Sequence, residues 1–216
     1  MKSVPVNEEI YNYILDRFVP EDKIADEIIS RTEKLDIPLI QISPDQGRFL
    51  YLLTKIINAE YALEIGTLAG FSGYHIASGL ADGGKLTTIE ISKKHGDLAA
   101  EYFKKAGLEN KTEVIISPAL DQLEKLVNEN RKYDLIFIDA DKINYIEYFE
   151  YAVKLSHSGT VIIFDNMIKD GRVTGDAGDD EDLRAIQMTN DLLSKDERVE
   201  SFLLVIGDGF TISRVR

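Results

Sequence analysis

The apolar positions of this chain change rhythm once, near residue 61. Before that point they recur at helical spacing. Ile10, Ile14 and Phe18 share one face of a helix that Pro20 ends, and Ile24, Ile28, Ile29 and Leu35 form a second stripe closed by Pro38. Ser43-Pro44-Asp45-Gln46 reads as a helix start, an N-cap followed by proline at the first helical position. The helix it opens is expected to bury Phe49, Leu50, Leu53, Ile56 and Ile57. From Tyr61 onward, short apolar runs alternate with longer amphipathic stretches. The runs predict strands over 62–65, 85–90, 112–116, 133–138 and 160–165; the stretches predict helices near 72–81, 93–107, 118–129 and 142–157. Strands joined by crossover helices imply an α/β fold with a parallel, doubly wound sheet. A last helix is expected around 182–195. Two alternating runs, 200–206 and 210–214, flank Gly207-Asp208-Gly209, so the sheet should finish in an antiparallel hairpin.

No internal repeat or low-complexity linker interrupts this pattern. At 216 residues the chain suits one sizeable α/β domain, with residues 1–40 as a helical N-terminal segment. There is no cysteine, which removes disulfides, thiolate ligands and a cysteine nucleophile. The first residues lack the apolar stretch of a signal peptide and no run is long enough to span a bilayer, so a cytoplasmic location is the expectation. The formal net charge is −13, and five of the seven residues from Asp176 to Asp182 are acidic. That balance repels phosphate backbones and disfavours a nucleic-acid partner.

The chemistry gathers at strand ends. Asp139 ends the run Leu135-Ile136-Phe137-Ile138, and Asp165-Asn166 ends Val161-Ile162-Ile163-Phe164. In an open α/β sheet such positions face the ligand crevice. Two carboxylates and an amide offer only oxygen, which suits a hard cation, Mg2+ foremost, with Mn2+ or Ca2+ as substitutes. Lys142 follows Asp139 by three residues and is placed to act as a base beside such an ion. The turn Gly66-Thr67-Leu68-Ala69-Gly70, after the first strand of the alternating part, lets a ligand approach the backbone, and Ser72 can cap the next helix. It lacks the glycine spacing of a pyrophosphate site. Glu64, two residues before it, would repel phosphate and welcome a cationic group, while Glu90, at the next strand end, can grip ribose hydroxyls. A ligand with ribose and amino-acid parts but no phosphate fits, and S-adenosylmethionine has those parts. Ala119 could lie against its adenine or merely start a helix. His75, His95 and His157 show no ligand-like grouping and read as surface or packing residues.

The segments QISPDQGRFL, ALEIGTLAGFSGYHIA, LTTIEISKKH, SPALDQL, YDLIFIDADKINYIEYF and GTVIIFDNMIKDGRV, spanning about 41–173, resemble the class I, cation-dependent O-methyltransferases of the caffeoyl-CoA and catechol kind. The resemblance implies a Rossmann-like domain with a seven-stranded sheet in the order 3-2-1-4-5-7-6, and a homodimer. It implies Asp139, Asp165 and Asn166 as metal ligands, with Lys142 and Asp139 at the catalytic centre. It further implies S-adenosylmethionine contacts from Glu64, Gly66, Thr67, Ser72, Glu90, Ala119 and Asp141, with Ile42 lining that pocket. Ile42 replaces a threonine common in the family, and Asp170 stands where plant members have asparagine, so plant acceptor specificity is not transferred. The expected acceptor is a small vicinal diol, a catechol or caffeoyl-type phenol. A hydroxylated uridine in tRNA is the alternative, and a nicotinamide-dependent oxidoreductase a more distant one.

Overall fold

In a computed structural model, residues 5–216 are described; residues 1–4, the start of the stretch read as lacking a leader, lie outside them. Three helices come first: α1 (Glu8–Phe18), α2 (Lys23–Lys34) and α3 (Pro44–Ile56). Then follow β1 (Tyr61–Ile65), α4 (Phe71–Gly79), β2 (Lys85–Glu90), α5 (Lys93–Lys105), β3 (Thr112–Ile116), α6 (Ala119–Asn128) and β4 (Tyr133–Ile138). A 3-10 turn (Lys142–Asn144) leads into α7 (Tyr145–Lys154), then β5 (Ser156–Phe164), α8 (Glu181–Leu193), β6 (Val199–Leu204) and β7 (Phe210–Val215). The strands form one sheet in the order β3-β2-β1-β4-β5-β7-β6. All pairs are parallel except those of β7 with β5 and β6.

The continuous apolar runs reflect burial on both faces of the sheet. Ala62, Leu86, Leu135, Phe137 and Ile163 pack into a cluster with α2 to α5. Their neighbours Leu63, Ile65, Ile136, Ile138 and Ile162 pack into a second cluster with α6 to α8. Each Leu, Ile or Phe among them contributes about 1.5–3 kcal/mol by leaving water.

The three N-terminal helices form where expected, but their apolar stripes are only partly covered. The stripe Ile10, Ile14, Phe18 is not buried anywhere along α1. Ile56, expected in the core, is 78% exposed, and Leu35 is also exposed, whereas Ile28 and Leu50 are fully covered. Strand β5 starts four residues earlier than its apolar run. Ser156 pairs with Tyr133 across an irregular step, and Thr160 Oγ1 donates to the Tyr133 carbonyl, so hydroxyls extend the ladder where apolar residues do not. Helix α7 is correspondingly shorter than predicted at both ends.

Candidate active site

The strand registers put the chemistry in a row. Ile89, Ile65, Ile138 and Phe164 are lateral partners across β2, β1, β4 and β5. One residue further stand Glu90, Gly66, Asp139 and Asp165. Backbone bonds carry the ladder through this step, from Gly66 N–H to Ile89 O (3.0 Å), Asp139 N–H to Ile65 O (2.9 Å) and Asp165 N–H to Ile138 O (3.1 Å). The order reverses direction between β1 and β4, so this row borders the crevice where such sheets hold ligands.

A cleft of about 780 Å3 opens there. Ile42, Gly66, Thr67, Ser72, Glu90, Ala119 and Asp141 line it, as do Asp139, Lys142 and Asn166. Ala119 is both a wall of the cleft and the first residue of α6. Glu90 is fixed at the cleft edge, because its carboxylate accepts the Leu68 and Ser92 N–H groups, each at 2.8 Å. Lys142 Nζ lies 2.8 Å from Asp139 Oδ1 and donates to Tyr145 Oη at 2.7 Å. Tyr145 in turn donates to the Asp165 carbonyl at 3.1 Å. Asn166 takes a left-handed backbone conformation (φ 60°), which asparagine tolerates better than most residues.

The O-methyltransferase family model matches residues 16–216. This chain belongs to that family. A catechol O-methyltransferase from Niastella koreensis is 36% identical over 97% of each chain. Another, from Mycobacterium tuberculosis, is 33% identical over 100% of this chain and 99% of its own. Among solved structures, the O-methyltransferase from Bacillus cereus in complex with SAH superposes with a TM-score of 0.91 at 38% identity, covering 96% of this chain and 97% of that one. The nicotinamide reading is thereby set aside in favour of an O-methyltransferase.

Two expected site residues of this O-methyltransferase do not line the cleft. Glu64 is wholly buried; it accepts from Ser72 Oγ at 2.5 Å and Thr88 Oγ1 at 2.6 Å. Burial pushes its carboxyl up to about 7, and the two hydroxyl bonds only partly offset that. Ser72 therefore serves Glu64 rather than capping α4, whose N-cap is Gly70. Asp165 is 3% exposed and sits behind the cleft wall. Burial first, then the Asp139 carboxylate, raises its proton affinity.

Among the described residues no three His, Cys, Asp or Glu side chains gather to hold a metal ion. The expected set contains only two carboxylates, and Asn166 would supply an amide oxygen. Its chemistry nonetheless fits a hard divalent ion. Two acidic groups repel each other at adjacent strand ends, and only Asp139 is bonded to a cation, Lys142, while Asp165 has the neutral Gln46 amide.

Several lining residues escape sequence reasoning. His95, read as packing or surface, borders the cleft with Nδ1 3.7 Å from Glu90 Oε1. His75 and His157 meet their expectation: His75 packs edge-on to Phe71, and His157 pairs with Asp134 near the surface. Tyr148 donates to Asp141 Oδ1 at 2.5 Å, two helical turns further on, a spacing the sequence does carry. Lys169 and Asp182 face each other at 4.0 Å on the opposite rim. No local pattern ties residue 169 to 182, because the segment between them is irregular. Met167 is core rather than pocket wall.

Proposed function

We propose that this O-methyltransferase moves a methyl group from S-adenosylmethionine to a hydroxyl of a small catechol or caffeoyl-type phenol, with a divalent cation, Mg2+ foremost, as helper. One observation carries the reading: the Asp139–Lys142 pair sits in the same cleft as Glu90, Ser72 and Ala119. A single cleft can thus hold a nucleoside at one end and a reacting oxygen at the other. The SAH-bound relative from Bacillus cereus and the catechol enzymes from Niastella and Mycobacterium support this assignment. We take the whole chain as one catalytic domain.

Glu90 is the candidate acceptor for ribose hydroxyls, since both its oxygens are oriented by backbone N–H groups. Ile42, Thr67 and Ala119 would shape the walls around the cofactor, with Gly66 allowing close approach and Asp141, held by Tyr148, available to its polar groups. Asp139, Asp165 and Asn166 are the residues that would hold the cation, which when bound supplies positive charge to favour an ionised phenol and align it. Lys142 is the base candidate: its side chain is nearly buried and its Nζ is tethered by Tyr145 beside Asp139. S-adenosylmethionine, when bound, would supply a methyl whose bond to sulfur breaks as the bond to the acceptor oxygen forms; its leaving group would be a neutral thioether, so no residue need act as an acid.

A screen with labelled S-adenosylmethionine over catechols, caffeoyl thioesters and tRNA, with Mg2+ or with EDTA, tests this. Methylation of a catechol that EDTA abolishes and Mg2+ restores is expected. Full turnover in EDTA would remove the cation from the proposal, and methylation of tRNA alone would replace the acceptor. A homodimer is the assembly we propose, with Tyr13 and Phe18 left outside on α1 as apolar surface for a second copy. Sedimentation at a monomer mass would reject it.

A further inference from the structure

Gln46, the third residue of α3, reaches from the N-terminal helices into the row of strand ends. Its Oε1 accepts two hydrogen bonds, from Ser43 N–H and Ser43 Oγ, both at 2.9 Å. A backbone N–H can only donate, so that end of the amide must be its oxygen. The nitrogen is then forced to the other side, where Nε2 donates to Asp165 Oδ1 at 3.1 Å. Capping α3 requires only the oxygen end. The nitrogen end, buried with the rest of the side chain, would be costly without an acceptor, and the acceptor it has is a carboxylate 119 residues away.

The amide has little freedom to leave. A Cβ on Gly207, in the loop between β6 and β7, would collide with it, so that loop closes directly over Gln46. The backbone of Asp165 is pinned as well, by its N–H to Ile138 O and by Tyr145 Oη on its carbonyl. What remains free in Asp165 is rotation of the carboxylate. Gln46 Nε2 limits that rotation at Oδ1, together with the Asn166 N–H, which also donates to the carboxylate.

We propose that Gln46 is a positioning residue that orients Asp165 toward a divalent cation. This rests on the cation reading of the site given above. Outer residues of this type change metal affinity by about 10–100-fold when removed.

Gln46→Met keeps the length and bulk beneath Gly207 but loses both hydrogen-bonding ends. Ser43→Ala removes a hydroxyl from the cap while leaving the contact with Asp165. Mn2+ binding is followed by electron paramagnetic resonance, SAH binding by calorimetry in EDTA, and thermal midpoints without metal. Gln46→Met should bind Mn2+ at least about tenfold more weakly. It should keep SAH affinity within about twofold and raise the Mn2+ concentration for half-maximal activity more than it lowers the maximal rate. Ser43→Ala should resemble the wild type. Equal Mn2+ affinity in wild type and Gln46→Met would reduce Gln46 to a helix cap. An equal loss in Ser43→Ala, or loss of SAH and Mn2+ binding together, would also overturn the proposal. A wild type that binds no Mn2+ removes the cation reading itself, a result distinct from any of these.

Discussion

Two side chains at the site make opposite uses of burial. Lys142 is covered yet bonded on two sides, to Asp139 and Tyr145, which fixes Nζ at the strand ends. General-base help is worth about 10²–10⁴-fold, so Lys142→Met should lower kcat by that order for catechol. The loss should shrink for nitrocatechols, whose phenols ionise without help. Equal losses across an acceptor series would leave Lys142 a structural ion pair. Glu64 is covered, and burial, only partly offset by its two hydroxyl bonds, raises its carboxyl from an ordinary 4.5 to about 7. The folded protein therefore binds this proton more tightly than the unfolded chain. Its stabilising effect is complete below about pH 4.5 and disappears as pH climbs to about 7. Relative to Glu64→Gln, the wild type should lose on the order of 3 kcal/mol between pH 4.5 and 8. Urea unfolding of both proteins at the two pH values measures it, and parallel pH curves would rule it out.

At the scale of elements, β1, β2 and β4 were legible because short, largely buried runs give out at Gly66, Glu90 and Asp139, and β3, none of whose residues is fully buried, by its β-branched Val114-Ile115-Ile116. The same run-endings placed Glu90, Gly66, Asp139 and Asp165 at one sheet edge before any coordinates. What failed has physical causes. The start of β5 is polar because hydroxyl bonds replace apolar packing there. The stripe of α1 has helical spacing, and α1 is a helix, but spacing alone does not say what covers a face. Gln46 showed itself only as a cap, since its partner Asp165 is remote in sequence. Gly66 was legible as a tight turn, and the structure shows a stricter demand. Its φ is 96°, and a Cβ would run into the Asp139 carbonyl oxygen. Gly66→Ala should push β1 from β4 at the catalytic end. We expect a stability loss of about 1–3 kcal/mol from backbone strain and a large drop in SAH affinity. Calorimetry showing unchanged SAH binding would mean the β1–β4 edge yields freely.

For the whole molecule, the net charge of −13 has to be set against the local charges of the cleft. Its wall carries Lys142 and Lys169 against Glu90, Asp139, Asp141 and Asp182. Lys142 is paired with Asp139 and Lys169 faces Asp182, so neither is a spare contact for a phosphate backbone. Among the described residues that line the cleft, no arginine stands with these two lysines, so the lining is not the Lys/Arg-rich one a tRNA acceptor would need. Proteins that grip nucleic acid do so by displacing counterions, and their affinity then falls steeply with salt. Here the field opposes approach, and added salt would weaken that opposition rather than an attraction. Fluorescence anisotropy with labelled tRNA at 50 mM and 200 mM salt should therefore show no binding at micromolar protein, and no gain at the lower salt. Tight association at 50 mM that collapses at 200 mM would reveal a basic surface elsewhere on the molecule, and the hydroxylated-uridine acceptor would return to the front.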